Sequence, residues 1–276
     1  SAYRSTDGGT SWEILSQPMK GTPYRSREAG GAKLAVSATD PDRVVWLQLE
    51  GGLRLTPDGG KSWQDVHIAD DSGILHNRIA YDFRHVLASD RVNGKKFYVY
   101  RRADSGFYRS ADGGVTFNKV IGASNDLPLP RDRDGGVAEY SGIWGLRVTA
   151  APGLDEEVWV SLAGSGIFRA AGEGDHKTDR FARVEYFAER GPTNVCFGKP
   201  GPGSETPTIF VFGQRARDKQ WGVFRSTDLG KTWAMITPAD RPGHWIRFMA
   251  GDMRTFGIVY VTDASYGQTV GRPKKP

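Results

Sequence analysis

The sequence predicts an all-β chain, a β-propeller of four-stranded antiparallel blades, on three observations: a repeated turn, alternating strands around each copy, and a composition rich in turn formers. Glycine and proline make up 51 of 276 residues, about 18%, with no collagen period and no low-complexity run. The repeated turn reads Ser5-Thr6-Asp7-Gly8-Gly9-Thr10-Ser11-Trp12, then Thr56-Pro57-Asp58-Gly59-Gly60-Lys61-Ser62-Trp63, then Ser110-Ala111-Asp112-Gly113-Gly114-Val115-Thr116-Phe117, then Ser226-Thr227-Asp228-Leu229-Gly230-Lys231-Thr232-Trp233. Its aspartates are 51, 54 and 116 residues apart, and the doubled interval holds a degenerate copy, Gly166-Ile167-Phe168-Arg169-Ala170-Ala171-Gly172, in which Gly172 replaces the aspartate. A fixed period of this size marks a repeat architecture.

The turn has hairpin chemistry. A strand runs into Asp-x-Gly, the carboxylate accepts backbone N–H groups, and glycine supplies positive φ. The pattern resembles the Asp-box, or bacterial neuraminidase repeat, which joins the third and fourth strands of a propeller blade. Asp7, Asp58, Asp112 and Asp228 are therefore expected to be structural turn caps with no catalytic role.

Period-two alternation and β-branched or aromatic enrichment place the remaining strands. The unit at 32–67 has strands at 33–37, 44–49, 52–56 and 62–67. The unit at 79–121 has them at 79–87, 96–101, 107–110 and 116–121. The unit at 144–187 follows with 146–150, 158–162, 167–170 and 182–187, and that at 193–237 with 194–198, 208–213, 222–226 and 232–237. No helix is required. The chain begins with third and fourth strands at 2–5 and 11–15 and closes with first and second strands at 246–251 and 257–262, so 1–16 plus 246–271 form a fifth, composite unit. Such a blade closes a single domain over 1–276 into a five-bladed ring with protected edges. The other expectation is a fragment of a larger seven-bladed or two-propeller protein.

Several classes are excluded. The lone Cys196 forms no internal disulfide and reads as a small buried residue. There is no run of about 18 apolar residues to cross a membrane and no signal-peptide pattern at Ser1-Ala2-Tyr3-Arg4. The net charge of +5 is mild and scattered, which disfavours nucleic acid as a partner. The five histidines have no zinc spacing, and neither a phosphate loop nor a nucleophile elbow is present, so no cofactor or metal is expected.

Beyond the turns, Ala35-Val36-Ser37-Ala38 with Val44-Val45-Trp46, Ala88-Ser89-Asp90-Arg91-Val92-Asn93 with Phe97-Tyr98-Val99-Tyr100, and Ala150-Ala151-Pro152-Gly153 with Val158-Trp159-Val160 occur in order. They are followed by Phe197-Gly198-Lys199-Pro200-Gly201-Pro202-Gly203 with Ile209-Phe210, then Gly222-Val223-Phe224-Arg225-Ser226, Ala250-Gly251-Asp252 and Gly257-Ile258-Val259-Tyr260. This series resembles the C-terminal part of glycoside hydrolase family 74, the two-propeller xyloglucanases and endo-β-1,4-glucanases. The resemblance implies one wall of a cleft for xyloglucan or β-glucan, secretion, and a missing N-terminal propeller or partner chain. The family's catalytic Asp-x-Gly-Gly-Phe-like segment is absent. Asp134-Gly135-Gly136-Val137 lies two units too late, and Ala264-Ser265-Tyr266-Gly267 stands in place of the family's Asn-Gly-Arg-Gly stretch. The isolated chain is therefore expected to be inactive. The alternatives are a non-catalytic carbohydrate-binding or scaffold propeller and, more weakly, a sialidase-like enzyme.

The ligand face of a propeller carries the second-to-third-strand loops and the connections between blades. Here these are 102–106 and 214–221, with 17–31, 68–78, 122–143, 188–193 and 238–245; the long segment 122–143 suggests function by its length. Sugar rings need aromatic faces and polar groups, which selects Tyr140, Trp144, Trp221, His244, Trp245 and Tyr266 as substrate-binding candidates. Trp46 and Trp159, inside second strands, are expected in the core. Glycoside hydrolysis needs a carboxyl pair. Asp70, Asp71, Asp132, Asp134 and Asp240 are available in loops, but none is assigned.

Overall fold

The computed structural model describes residues 3–15, 33–48, 52–68, 86–101, 105–131, 146–162, 164–189, 194–237, 246–263 and 267–273. Strands β1 (Tyr3–Arg4) and β2 (Glu13–Ile14) form a two-stranded hairpin. The next sheet runs in chain order through β3 (Lys33–Val36), β4 (Val44–Gln48), β5 (Gly52–Thr56) and β6 (Gln64–Asp65). β7 (His67–Ile68) then leaves it to join the following sheet, built from β8 (Leu87–Ser89), β9 (Phe97–Arg101), β10 (Gly106–Ser110) and β11 (Thr116–Lys119). There β7 pairs parallel with β11, so a short strand from the end of one blade becomes the fifth strand of the next. Two four-stranded sheets follow: β12 (Arg147–Ala150), β13 (Val158–Leu162), β14 (Gly166–Ala170) and β15 (Phe181–Arg183), then β16 (Asn194–Gly198), β17 (Thr208–Gln214), β18 (Trp221–Ser226) and β19 (Ala234–Met235). The last sheet has β20 (Ile246–Gly251), β21 (Val259–Asp263) and β22 (Gly267–Gly271).

The fold is a β-propeller array. First strands stand side by side in chain order, β3 against β8, β8 against β12, β12 against β16 and β16 against β20. Among the described residues no comparable contact joins β20 back to β3. The core lies between neighbouring sheets because each blade is apolar on both faces, as in Phe97, Tyr98, Val99 and Tyr100 along β9, all fully buried. One cluster spans the three sheets from β3 to β15, a second joins the sheets of β12–β15 and β16–β19, and a third joins the latter to β20–β21. Trp46 and Trp159 are core residues, each in edge contact with a tryptophan of the repeated turn, Trp63 and Trp233. Cys196 is buried and free.

Four features differ from the sequence reading. A helix, α1, spans Ile121–Asp126, from the end of the strand expected at 116–121 into the long loop expected at 122–143, and a 3-10 helix spans Gly174–Asp179. The latter fills the degenerate turn. With no aspartate at Gly172, the turn is closed by backbone bonds from Ala171 N–H to the Arg180 carbonyl and from Gly172 N–H to the Lys177 carbonyl. The fourth strand expected at 182–187 is the short β15, and the chain beyond it reaches the next sheet, where Phe187 bridges Arg215 and Ala188 N–H donates to the Gln214 carbonyl. Finally, the outer edge of β21, which a composite blade would offer to β1, carries β22; among the described strands β1 pairs with β2. The β1–β2 hairpin lies instead against the outer half of the β3–β6 sheet, with Arg4 paired to Asp42 and Trp63 Nε1 donating to the Leu15 carbonyl.

Candidate functional site

The repeated turn joins β1 to β2, β5 to β6, β10 to β11 and β18 to β19. In the β5–β6 turn Thr56 Oγ1 donates to Asp58 Oδ1 at 2.8 Å and accepts the Gly60 N–H at 2.7 Å. Asp58 also accepts the Ser62 N–H and, on Oδ2, the Ser62 hydroxyl at 2.6 Å. Asp7 and Asp228 repeat this set with Ser5 and Ser11, and with Ser226 and Thr232. Asp112 accepts from Ser110, Val115 N–H and Thr116 N–H. Donors from Ser11 and Ser62 hold the Asp7 and Asp58 carboxyls at about 2. Burial pushes Asp228 and Asp112 up, but hydrogen bonds outweigh it, leaving Asp228 at about 2 and Asp112 below its ordinary value. A carboxylate saturated with donors and held ionised is a poor general acid.

The opposite end of the array carries the second-to-third-strand loops and the connections between blades. Its best-described part is the β17–β18 connection. Arg215 clamps it with two bonds to Asp218, one to Gln220 Oε1, and a backbone bond to the Gln220 carbonyl. The Arg215 guanidinium holds the Asp218 carboxyl below the ordinary carboxylate range. Lys219, at φ 58°, reverses the chain, and its carbonyl accepts from Gln214 Nε2 at 2.8 Å. Residues 184–189 pack beside this loop: Ala216 N–H donates to the Tyr186 carbonyl, and Tyr186 and Phe187 pack on Phe224 and Trp233.

Between the two segments lies a cavity of about 300 Å³ lined by Arg183, Ala188, Glu189, Gln214, Ala216 and Lys219. Arg183 pairs with Glu189 at 2.9 Å and Glu185 at 3.5 Å and donates to the Phe187 carbonyl, while its buried Nε has no hydrogen-bond partner among the described residues. The lining carries cationic side chains, Arg183 and Lys219, and an anionic one, Glu189. Glu185, Glu189 and Asp218 are all engaged by arginine, so this end presents hydrogen-bonding and ion-paired carboxylates.

Of the substrate-binding candidates, Trp221 is described. It opens β18 half-buried, with its ring centroid 5.6 Å from that of Phe212 at an interplanar angle of 38°, and it borders the third core cluster. Tyr140, Trp144, His244, Trp245 and Tyr266 lie outside the described residues, as do Asp70, Asp71, Asp132, Asp134 and Asp240. Glu189, Gln214, Ala216 and Lys219 fall in loops that the strand pattern assigns to the ligand face. Arg183, inside β15, carries no such signal. Among the described residues no group of three or more His, Cys, Asp or Glu side chains is placed to hold a metal, and no described helix is long and apolar enough to cross a membrane.

No family model matches the chain. In sequence it is 31% identical over 271 residues to the xyloglucanase Xgh74A of Acetivibrio thermocellus, a match covering 98% of this chain and 27% of that protein. It is 29% identical over 260 residues to a xyloglucanase of a Paenibacillus species, covering 93% of this chain and 21% of that one. Among solved structures, a GH74 xyloglucanase from Xanthomonas campestris superposes with a TM-score of 0.69 at 23% identity, covering 99% of this chain and 33% of that chain. The chain thus spans about a quarter of the length of the curated relatives it matches.

Proposed function

We propose, from the premise that the chain is a relative of the glycoside hydrolase family 74 xyloglucanases, that it forms one wall of a cleft for xyloglucan or a related β-1,4-glucan. In this reading it works outside the cell as part of a larger assembly, and the rest of that assembly supplies the catalytic carboxylate. The observation that carries the reading is the sequence relation, which runs through nearly the whole chain and through only a quarter of each relative. A half-cleft binds without turning over. Tyr140, Trp144, Trp221, Trp245 and Tyr266 supply flat faces for sugar C–H surfaces, and His244 with Gln214 and Glu189 of the cavity supplies partners for hydroxyls. The engagement of Glu185, Glu189 and Asp218 by arginine fits a binding role.

The test is affinity electrophoresis of the 276-residue chain in xyloglucan and in mixed-linkage β-glucan, with endo-hydrolysis of both measured in parallel. Retardation without chain cleavage is the expected result, and Trp221→Ala should weaken it. Turnover by the isolated chain, or migration indifferent to both polysaccharides, overturns the reading.

A further inference from the structure

Three neighbouring first strands, β12, β16 and β20, enclose a buried cation with no counter-ion among the described residues. Arg147 opens β12 at 6% exposure, and its Nη2 atom has no hydrogen-bond partner among the described residues. Side chains alternate along β16: Val195 and Phe197 pack toward the β12–β15 blade, whereas Cys196 packs toward β20. Asn194 shares the face of Cys196. Its Nδ2 donates to the Ile246 carbonyl at 3.0 Å, and its buried Oδ1 has no donor among the described residues. Arg147 reaches this same junction across β16, with its guanidinium 4.8 Å from the centroid of the Phe248 ring in β20. Burial pushes the Cys196 thiol up to about 12, and the Arg147 charge works against that rise. Burial also lowers Arg147 to about 10, which leaves it charged at neutral pH. A buried donor and a buried acceptor, both unsatisfied at one junction, each carry a desolvation cost that a bound ligand relieves.

We infer that Arg147, Asn194 and Phe248 form a binding site for a sugar acid of the uronate class, in which Arg147 Nη2 donates to the carboxylate and Asn194 Oδ1 accepts from the hydroxyl beside it. The two orphaned atoms select this chemistry. The guanidinium calls for an anion and the carboxamide oxygen for an adjacent donor, and a uronate presents a carboxylate and a hydroxyl from neighbouring ring carbons. Access and apolar surface are both at hand. Phe248 is 43% exposed, and Trp221 packs on Phe212, the cross-strand partner of Asn194. None of the three residues lines the cavity of Arg183 and Glu189. The site rests on the reading of the chain as a polysaccharide-binding wall and deepens it by adding acidic sugar units to the ligand. Its test uses a monosaccharide acid, so it succeeds or fails independently of retardation by neutral polysaccharides.

The probe is glucuronate, titrated into the 276-residue chain with its cysteine β-carbon isotopically labelled for NMR. Cys196 is the sole cysteine, so a single resonance reports on this junction. The expected result is a saturable shift of that resonance, with glucuronate binding at least about tenfold tighter than acetate, which lacks the hydroxyl, or glucose, which lacks the charge. Arg147→Met should abolish the shift and keep the fold, because it removes an unpaired buried charge and strands no partner. A Cys196 resonance indifferent to glucuronate in the unsubstituted chain overturns the site whatever the variant does, and so does a shift that survives Arg147→Met. Acetate binding as tightly as glucuronate overturns the sugar-acid assignment in favour of a bare carboxylate. Acetylglycine binding more tightly than glucuronate overturns it in favour of a peptide terminus.

Discussion

Asp58 shows how one residue fixes a turn and ties it to pH. Its carboxyl lies at about 2 against an ordinary 3.8, because Ser62 and Thr56 donate to the ionised form. A group depressed in the folded state contributes stability that is complete above the ordinary value and is lost as pH falls through the lowered one. Thermal unfolding from neutral pH downward should therefore show a loss between about 3.8 and about 2. Asp58→Asn should melt lower at neutral pH and lose less over that window. An unchanged acid limb in the variant would show that the turn hydrogen bonds do not carry the effect. The four turn aspartates were legible because the motif is local: every partner lies within four residues. The hydrogen bond from Tyr98 Oη to Asp90 was equally present as an eight-residue spacing, repeated at Asp252–Tyr260, but the Glu156 N–H that Asp90 also accepts comes from 66 residues away. The cavity is harder still, since its lining is brought together by how two loops meet.

At the scale of the element, the glycines of the repeated turn separate backbone from packing. Gly8 and Gly114 both have positive φ, 74° and 86°, yet a Cβ on Gly8 meets nothing within 4 Å, whereas one on Gly114 falls 2.5 Å from Val45 Cγ2. Gly8→Ala should cost about 1 kcal/mol, the strain of a left-handed residue. Gly114→Ala adds overpacking against the preceding blade and should cost about 2–4 kcal/mol. Urea denaturation of both variants checks this, and equal losses would remove the packing account. The elements that sequence reading missed are those without a periodic signal. α1 is six residues long, less than two turns, and β22 exposes four of its five residues, so neither displays an apolar stripe. The second strands match the expected ranges closely, because their burial is dictated by long β-branched and aromatic runs such as Val158–Leu162, whereas the first strand expected at 79–87 is β8 at Leu87–Ser89, with 79–85 outside the described residues.

At the scale of the whole molecule, stability is held between blades as well as within them. Glu156, 2% exposed, joins Lys96 and Arg109 of the preceding blade, and Arg109 continues to Asp179 at 2.8 Å and to Thr178. Burial works against the Lys96 ammonium, but the hydrogen bonds it donates to the Glu156 and Asp155 carboxylates keep it above its ordinary value. Glu156→Gln leaves Lys96 with Asp155 and Arg109 with Asp179, so the expected loss is about 1–3 kcal/mol rather than that of a fully stranded charge. Repeat arrays are stabilised by nearest-neighbour interfaces. The variant's urea transition should therefore broaden as well as shift, and a parallel shift of unchanged slope would argue that this interface does not set cooperativity.

The parallel strand β7 has a consequence for synthesis. It precedes its hydrogen-bonding partner β11 by about fifty residues, and at ~5–20 residues per second a ribosome needs ~2–10 s to make that length. Until β11 is made, β7 lacks the strand it pairs with, while β3–β6 already form their own sheet. Each blade can collapse as it emerges, but this one is latched only by the next, so production of the array is vectorial, and a pause before Thr116 prolongs the time during which the waiting strand is open to chaperones and to other chains.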